Sequence, residues 1–221
     1  MAMLVLFFIV FIGILFAVNV YVYENSEFSK LTGHSLLSVW TNKEVRFLYK
    51  LAQKLKKVKG ELKILYNIAL PQSEWKIDFI LLHQSGIYVI NAKRSSGWIY
   101  GSEQDLQWAQ VLENGQMNTF RNPIIENKLK IDDVKKYNPE VSNDLYQSLV
   151  VFNKNCSFKK VEIRSQDVDV FKIDELKTFW NDRMDHILTK DQMMSIYSNL
   201  ETYMIKKPTK EKAPFKDAAS S

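Results

Sequence analysis

The chain has 221 residues, of which 46% are hydrophobic and 13% aromatic, so it can form one folded domain and is not a disordered chain. Its 30 Lys and Arg residues oppose 25 Asp and Glu residues, and the resulting charge of +5 is too small to indicate nucleic-acid binding alone. The single cysteine, Cys156, excludes an internal disulfide framework and a cysteine-based zinc site.

Residues 1–23 predict a membrane-spanning helix. Residues 1–18 contain no charged or strongly polar side chain, and the apolar character continues after Asn19 to Tyr21 and Tyr23. A stretch of this length can cross a bilayer, and aromatic rings favour the bilayer interface. A cleaved signal peptide is the alternative, but it normally has a basic start and a small-x-small cleavage site, which this segment lacks.

The charges around this segment predict its orientation. None precedes it, and positive charges follow it at Lys30, Lys43, Arg46 and Lys50. By the positive-inside rule, we expect a single-pass protein of the cell membrane with its C-terminal part in the cytoplasm. Residues 24–40 lack clear periodicity and are expected to form a juxtamembrane connector. The domain would then span residues 41–205, and the polar, proline-containing residues 206–221 would be a disordered tail.

The first helix of the domain is predicted to start at Thr41, because residues 41–44 form a capping box that ends in Glu44. An apolar stripe then recurs at spacings of three and four, at Val45, Leu48, Ala52, Leu55 and Val58. Off this stripe lie several lysines, including Lys56, Lys57 and Lys59. They form either a solvated face or a surface that attracts phosphate, from nucleic acid or from anionic lipid beside the anchor.

Residues 75–93 predict two strands joined by a tight turn at residues 83–86. A two-residue and a four-residue loop give the same register, in which Asp78 lies opposite Asn91. Side chains alternate along a strand, so Lys93 joins them on one face, whereas a three-residue loop would break this register. Both faces of the hairpin are otherwise apolar, which is typical of strands in the middle of a sheet covered by helices.

Charged residues in such strands are expected to form ion pairs or to take part in binding or catalysis, because burying an unpaired charge is unfavourable. One interpretation is a buried ion pair between Asp78 and Lys93 within a structural sheet. The other is a metal-dependent phosphodiester site, in which carboxylates hold a divalent ion and Lys93 stabilises charge on the phosphate.

The hairpin and its surroundings resemble the NERD family, the nuclease-related domain of the restriction-endonuclease-like superfamily. The family signature is Asp, a spacer, and then Asp/Glu-x-Lys. The resemblance covers roughly residues 43–137 and also rests, in order, on Gly60-Glu61, residues 85–90, residues 97–101, Trp108 and Asn122-Pro123. It implies an α/β fold with a mixed sheet flanked by helices, here preceded by one transmembrane helix. It also implies cleavage of DNA, or less readily RNA, with Mg²⁺ or Mn²⁺ as cofactor.

Two residues depart from the family pattern. Where the family has Glu or Asp two residues before the Lys, this chain has Asn91, and where Gln usually follows Asn-Pro by three residues, it has Glu126. Either the helix supplies the carboxylate that the strand has lost, or the site has decayed. The resemblance implies Asp78, Asn91, Lys93 and Glu126 as the catalytic set. Asp78 with Glu126 or Glu61 would hold the metal.

The alternative function is an inactive module of the same family that binds nucleic acid or a protein partner, or forms a homo-oligomer, at the membrane. A purely structural scaffold is a further alternative. Candidate contacts to nucleic acid are Arg94 and Trp98, together with Lys56, Lys57 and Lys59, although an aromatic residue on a sheet more often belongs to the core.

Further elements are predicted from the remaining pattern. Strands are expected at 98–101, 106–112 and 146–152, edge strands at 160–165 and 169–172, and helices at 123–137, 173–182 and 190–205. The last helix would begin with a capping box at Thr189.

Overall fold

The structure, a computed structural model, describes residues 1–181, 183 and 185–205. The helices are α1 (Ala2–Glu24), α2 (Glu27–Thr32), α3 (Leu36–Thr41), α4 (Lys43–Leu55), α5 (Pro123–Lys136), α6 (Leu176–Phe179) and α7 (Lys190–Glu201). The strands are β1 (Leu62–Ala69), β2 (Lys76–His83), β3 (Gly86–Lys93), β4 (Gly97–Ser102), β5 (Gln107–Val111), β6 (Met117–Arg121), β7 (Tyr146–Phe152), β8 (Cys156–Glu162) and β9 (Val168–Lys172). The tail predicted at 206–221 lies outside the described residues.

The strands form two mixed sheets flanked by helices, which confirms the predicted fold class. The larger sheet has the order β1-β2-β3-β7-β9, antiparallel from β1 to β3 and parallel from β3 to β9. The smaller sheet has the order β6-β5-β4-β8. β9 lies at the end of the larger sheet, which confirms the edge strand predicted at 169–172. The edge strand predicted at 160–165 is only partly right, because β8 spans Cys156–Glu162 and lies at the end of the smaller sheet. The sequence pattern did not predict that the strands divide into two sheets.

The central hairpin has the predicted register. Strand β2 ends at His83 and β3 begins at Gly86, and the ladder pairs Phe79 with Ile90 and Leu82 with Ile87. Gly86 has a φ of 142°, and a Cβ there would lie 2.9 Å from the carbonyl oxygen of Leu145. The turn therefore requires glycine at this position.

Helices cover both faces of the hairpin, as its apolar pattern predicts. On one face, Phe79 and Leu81 pack with buried residues of α4 such as Leu51. On the other face, Ile80 and Leu82 pack with residues of α5 and α7. Polar side chains on β2 and β3 are therefore held between a rigid sheet and a helix.

The start of α4 differs from the prediction by one residue. The N-cap is Asn42, whose side-chain oxygen accepts hydrogen bonds from the backbone amides of Glu44 and Val45. Thr41 instead ends α3 and donates its hydroxyl to the carbonyl oxygen of Leu37, at 2.8 Å. The predicted cap at Thr41 is wrong because this hydroxyl is already bound within the preceding helix.

Residues 24–40, which were expected to form a connector, contain the two short helices α2 and α3. Phe28 of α2 is 1% exposed and packs against Tyr66 of β1, with ring centroids 6.3 Å apart. Such tertiary contacts stabilise helices that are too short to show a clear sequence period. Helix α1 is long and apolar enough to cross a membrane.

The C-terminal helices are only partly as predicted. The capping box at Thr189 is present, and Met193, Ile196 and Leu200 of α7 are buried. The helix predicted over 173–182 is reduced to the four residues of α6, and its expected last residue, Asp182, lies outside the described residues.

Candidate active site

Three elements bring polar residues together at one end of the central hairpin. Asp78 lies on β2, Asn91 and Lys93 lie on β3, and Glu126 and Lys130 lie on α5. The two α5 residues are four positions apart, which places them on the same face of the helix. The structure thus brings four of the predicted site residues together and adds Lys130.

Asn122 and Pro123 hold the start of α5 in place. Asn122 is fully buried, and its Nδ2 donates to three carbonyl oxygens at the end of β4 and in the loop that follows, at 2.6 to 3.1 Å. Its Oδ1 accepts from the Ile124 amide at 2.9 Å and so caps the helix. Pro123 suits the first helical position, where no amide hydrogen is needed. These contacts bring the first turn of α5, with Glu126, next to β3.

The Glu126 carboxylate lies beside both polar residues of β3. Its Oε2 accepts hydrogen bonds from Lys93 Nζ at 2.5 Å and from Asn91 Nδ2 at 3.2 Å. Asn91 Nδ2 also donates to the Pro123 carbonyl oxygen at 3.1 Å. The side chains of Lys93 and Glu126 are only 24% and 14% exposed, so water screens this ion pair weakly. A carboxylate from the helix therefore stands next to the strand residue that lacks one.

Asp78 is partly buried and caps the end of the hairpin ladder. Its Oδ2 accepts a 3.0 Å hydrogen bond from the Ala92 amide. No Lys or Arg nitrogen in the described residues lies within 4.0 Å of its carboxylate. Burial raises the pKa of Asp78, while the Lys130 cation, the Ala92 amide and Lys93 act in the opposite direction. The alternative of an Asp78–Lys93 ion pair is not formed, because Lys93 pairs with Glu126.

Lys130 is a buried cation in this site. It is 5% exposed, and its Nζ donates to Asn91 Oδ1 at 3.2 Å. Burial lowers the pKa of Lys130, and the nearby Asp78 carboxylate counteracts that effect. The sequence pattern alone indicates no role for this lysine. Its spacing of four residues from Glu126 was the one signal that could have identified it.

The donor set of this site fits one divalent ion with few protein ligands. No three His, Cys, Asp or Glu side chains cluster to hold a metal within the part of the chain that the structure describes. Asp78 Oδ1 and Glu126 Oε1 accept no hydrogen bond from described residues, and burial disfavours the charged form of Asp78. Mg²⁺ is commonly held by one or two carboxylates, with water and substrate phosphate completing its coordination. Asp78 and Glu126 supply carboxylate oxygens of the kind that such an ion uses.

The structure does not bring Glu61 to this site. Glu61 is exposed, and its backbone pairs with Gln84 at the turn end of the hairpin, through hydrogen bonds of 3.0 and 3.1 Å. Asp78 lies six residues along β2 from Gln84, a distance of about 20 Å at 3.3 Å per residue. Glu61, between α4 and β1, therefore lies at the opposite end of the sheet from Asp78 and is too far away to be a metal ligand there.

The lysines predicted to contact nucleic acid follow α4 and also lie at the turn end. Lys56 pairs with Glu27 at 2.8 Å, whereas Lys57 and Lys59 are exposed. The backbone oxygen of Lys59 lies 2.8 Å from a ring nitrogen of His83. These side chains are therefore separated from Asp78 by most of the length of the hairpin.

Arg94 and Trp98 follow Lys93 in sequence, but their side chains do not join the site around Glu126. Arg94 pairs with Glu44 of α4 at 3.2 Å, on the opposite side of the sheet from Glu126. Trp98 is 49% exposed on β4, and Lys159 Nζ lies 5.1 Å from its ring centroid. Its ring is therefore accessible for stacking. Trp108 instead belongs to the core, with 1% of its surface exposed.

Comparison with known proteins adds a family and a relative. A family model described as the nuclease-related domain, NERD, matches residues 40–153, which include all five residues of the site. An uncharacterized protein of Bacillus anthracis is 28% identical over 125 residues, which is 57% of this chain and 58% of the relative. The match thus spans little more than half the length of that relative.

Proposed function

The chain belongs to the nuclease-related domain (NERD) family, and on that basis we propose that it is a membrane-anchored nuclease. It would use a divalent metal to cleave phosphodiester bonds of DNA, or alternatively RNA, at the cytoplasmic face of the membrane. The observation that carries this proposal is the Glu126 carboxylate beside Asn91 and Lys93. It supplies, from α5, the negative charge that the strand position lacks.

Two carboxylates would hold the metal in this proposal. Asp78 and Glu126 each keep one oxygen without a hydrogen bond from described residues. When bound there, Mg²⁺ or Mn²⁺ would supply a Lewis acid that polarises the scissile phosphate.

Lys93 would stabilise negative charge on the phosphate. Its ammonium donates one hydrogen bond to Glu126, which leaves two N–H groups for other acceptors. Because this ion pair is mostly shielded from water, the ammonium is held in place before substrate arrives. A donor positioned in advance lowers the barrier more than a mobile one does.

Lys130 would act as a positioning residue. Its hydrogen bond to Asn91 Oδ1 holds the amide so that Nδ2 points to Glu126. Its positive charge also opposes the effect of burial on Asp78 and favours the ionised carboxyl. Lys130 thus links the two acidic residues without touching substrate.

The proposed organisation places this chemistry at a membrane surface. Residues 1–23 would anchor the protein, and residues 41–205 would form the nuclease domain. The apolar composition of α1 supports the anchor. The positive charges that follow α1 support a cytoplasmic domain. Such a nuclease would act on nucleic acid that lies close to the membrane.

A second candidate function is nucleic-acid binding without cleavage. It is favoured by one observation, which is that the Lys130 ammonium bonds the Asn91 oxygen at 3.2 Å. In this arrangement a protein cation satisfies Asn91 in the place of a metal. The domain would then bind nucleic acid through its basic and aromatic surface.

The test uses the full chain in detergent or nanodiscs on single- and double-stranded DNA and RNA. Cleavage is measured with Mg²⁺, Mn²⁺ or EDTA for the wild type, Asp78→Asn and Asp132→Asn. Asp132 is an exposed acid on α5 and serves as the matched control. Metal-dependent cleavage that only Asp78→Asn abolishes supports the nuclease. Absence of cleavage, with salt-sensitive binding that survives Asp78→Ala, supports the binding module.

A separate measurement tests the anchor. After mild lysis, the full chain is expected in the membrane fraction and is released by detergent. Recovery in the soluble fraction without detergent would contradict the anchor, and it would leave the nuclease assay unaffected.

A further inference from the structure

Helix α1 is packed directly against the rest of the chain. Tyr23, near the end of α1, is 3% exposed and donates its hydroxyl to the His34 carbonyl oxygen at 2.7 Å. Its ring packs edge-on against Tyr49 of α4, with centroids 5.4 Å apart. These contacts hold α1 and α4 in one relative orientation. If α1 crosses a bilayer, they determine which surface of the domain faces the lipid.

Helix α3 lies alongside α1. The ring of Trp40 packs on Phe16, with centroids 5.7 Å apart. Phe16 is seven residues before Tyr23, or about 10 Å along the helix axis. The two largest side chains that α3 exposes are Leu37, at 66%, and Trp40, at 50%. With α1 across a bilayer, these side chains lie at the depth where interfacial aromatic residues and amphipathic helices insert.

A basic cleft begins where α3 ends. Its volume is about 740 Å³, and it lies between the start of α4 and the segments that follow β3, β7 and β9. Six cationic side chains line it, namely Lys43, Arg46, Lys50, Lys54, Arg94 and Lys154. One acidic side chain, Asp174, lines it as well. The cleft therefore suits an anionic ligand.

Most of these cations are not neutralised by the protein. Lys54 pairs with Asp174 at 3.8 Å, and Arg94 pairs with Glu44 at 3.2 Å. The other four have no carboxylate within 4.0 Å among residues 1–181, 183 and 185–205. Arg46 also ties the cleft to α3, because its guanidinium donates to the carbonyl oxygens of Val39 and Trp40.

We propose that α3 and this cleft form a second membrane contact that binds the head groups of anionic phospholipids. The inference rests on the proposed membrane anchoring of α1. The contact is continuous with the anchor through Phe16 and Trp40, and its charge is complementary to an anionic lipid surface.

Position favours lipid over nucleic acid as the occupant. The cleft is on the α4 side of the larger sheet, where Arg94 pairs with Glu44. The candidate active site is on the α5 side, where Lys93 pairs with Glu126. A phosphate in the cleft is thus separated from the active site by the sheet. It lies instead next to the apolar residues of α3, as a lipid head group would.

The test measures contact between Trp40 and lipid in the full chain. Nanodiscs of phosphatidylcholine contain one quarter brominated phosphatidylglycerol or one quarter brominated phosphatidylcholine. The chain has 5 Trp residues, so the fluorescence quenching of Trp40 is obtained as the difference between the wild type and Trp40→Phe. The cleft variant is Lys43→Gln/Lys50→Gln/Lys154→Gln. The control is Lys159→Gln/Lys160→Gln/Lys63→Gln, which removes the same charge elsewhere.

We expect Trp40 to be quenched, and more strongly by the anionic lipid, by at least about twofold. The cleft variant should lose this preference, and the control should keep it. Absence of quenching at Trp40, or equal quenching by both lipids, would overturn the proposal. So would a cleft variant that keeps the preference. If that variant also loses DNA binding in a parallel binding assay, the cleft serves nucleic acid instead. Failure of α1 to insert is detected separately, because the protein then elutes apart from the nanodiscs. Quenching does not depend on cleavage, so failure of the proposed nuclease function leaves these measurements unchanged.

Discussion

The Lys93 ammonium donates a 2.5 Å hydrogen bond to the Glu126 carboxylate, although 33 positions separate the two residues in sequence. This contact joins the carboxyl end of β3 to the first turn of α5. The same carboxylate oxygen accepts from Asn91, so one acidic group serves both polar residues of the strand. The Lys93 ammonium of β3 and the Glu126 carboxylate of α5 therefore neutralise each other in a site that is largely shielded from water.

Exchanging the acid and the amide between the strand and the helix tests this dependence. Asn91→Asp alone places a carboxylate against Glu126 and the Pro123 carbonyl, and should lower the free energy of unfolding by about 2–4 kcal/mol. The double variant Asn91→Asp/Glu126→Gln restores a donor–acceptor pair with the roles reversed and should recover most of that loss. Denaturant unfolding in detergent of the wild type, the two single variants and the double variant measures the coupling energy between residues 91 and 126. Additive effects of the two substitutions would show that the residues do not interact.

Removal of the Lys93 ammonium should abolish most catalysis. Lys93→Met is expected to reduce cleavage by about 10²- to 10³-fold, because the phosphate loses a positioned charged donor. Lys63→Met, at an exposed position on β1, is the matched control and should retain activity. Single-turnover cleavage at saturating metal distinguishes them. Equal activity of the two variants would exclude Lys93 from the chemistry.

Lys130 should support metal binding by holding its neighbours in place. At pH 8, Lys130→Met should raise the Mg²⁺ concentration for half-maximal cleavage by about threefold or more, because Asn91 loses a hydrogen bond and burial then favours the neutral form of Asp78. Lys130→Arg keeps the charge and should leave that concentration near the wild-type value. A metal titration of the cleavage rate checks both. A lower metal requirement in Lys130→Met would mean that Lys130 repels the ion more than it orients the ligands, and it would contradict the positioning role.

Glu103 should make folding sensitive to acid. Its carboxylate accepts from Lys128, from the hydroxyl of Ser165 and from the amides of Arg164 and Ser165. Although burial acts to raise it, these hydrogen bonds lower the pKa of Glu103 to about 2. The folded-state pKa lies below the unfolded value, so the ionised group stabilises the fold at neutral pH. This contribution is lost as the pH falls from about 4.5 to about 2.

The variant Glu103→Gln isolates this contribution. It should reduce the free energy of unfolding by about 1–3 kcal/mol at pH 7, and the difference from the wild type should shrink toward pH 2. Denaturant unfolding at several pH values measures it, with the exposed Glu162→Gln as control. A difference that does not change with pH would assign the loss to packing and not to charge.

The local pattern was sufficient to predict the central hairpin and the side chains that share its face. Alternation and the Ser85-Gly86 turn determine the register, and the Asn-Pro pair at 122–123 marks the start of α5. These features depend on neighbouring residues, so periodicity and turn chemistry were enough. The division into two sheets depends on pairing between distant strands, and no local pattern encodes it.

Other features depend on contacts that are distant in sequence. The rotation of α5 that buries Lys130 is held by the hydrogen bonds of Asn122 to the loop after β4. Glu61 looked suitable because of its place before β1, but the antiparallel direction of β1 and β2 puts it at the turn end. The helices of residues 24–40 are stabilised by packing, as between Phe28 and Tyr66, which a short segment does not reveal.

In the proposed site, helix α5 supplies the carboxylate that strand β3 lacks. The most direct measurement compares the cleavage rates of Glu126→Gln and Glu61→Gln in the full chain with Mg²⁺. Both substitutions neutralise one carboxylate, but only Glu126 contacts Lys93. We predict that cleavage falls by about 100-fold or more in Glu126→Gln and stays near the wild-type rate in Glu61→Gln. Full activity in Glu126→Gln, or loss of activity only in Glu61→Gln, would contradict this role of Glu126.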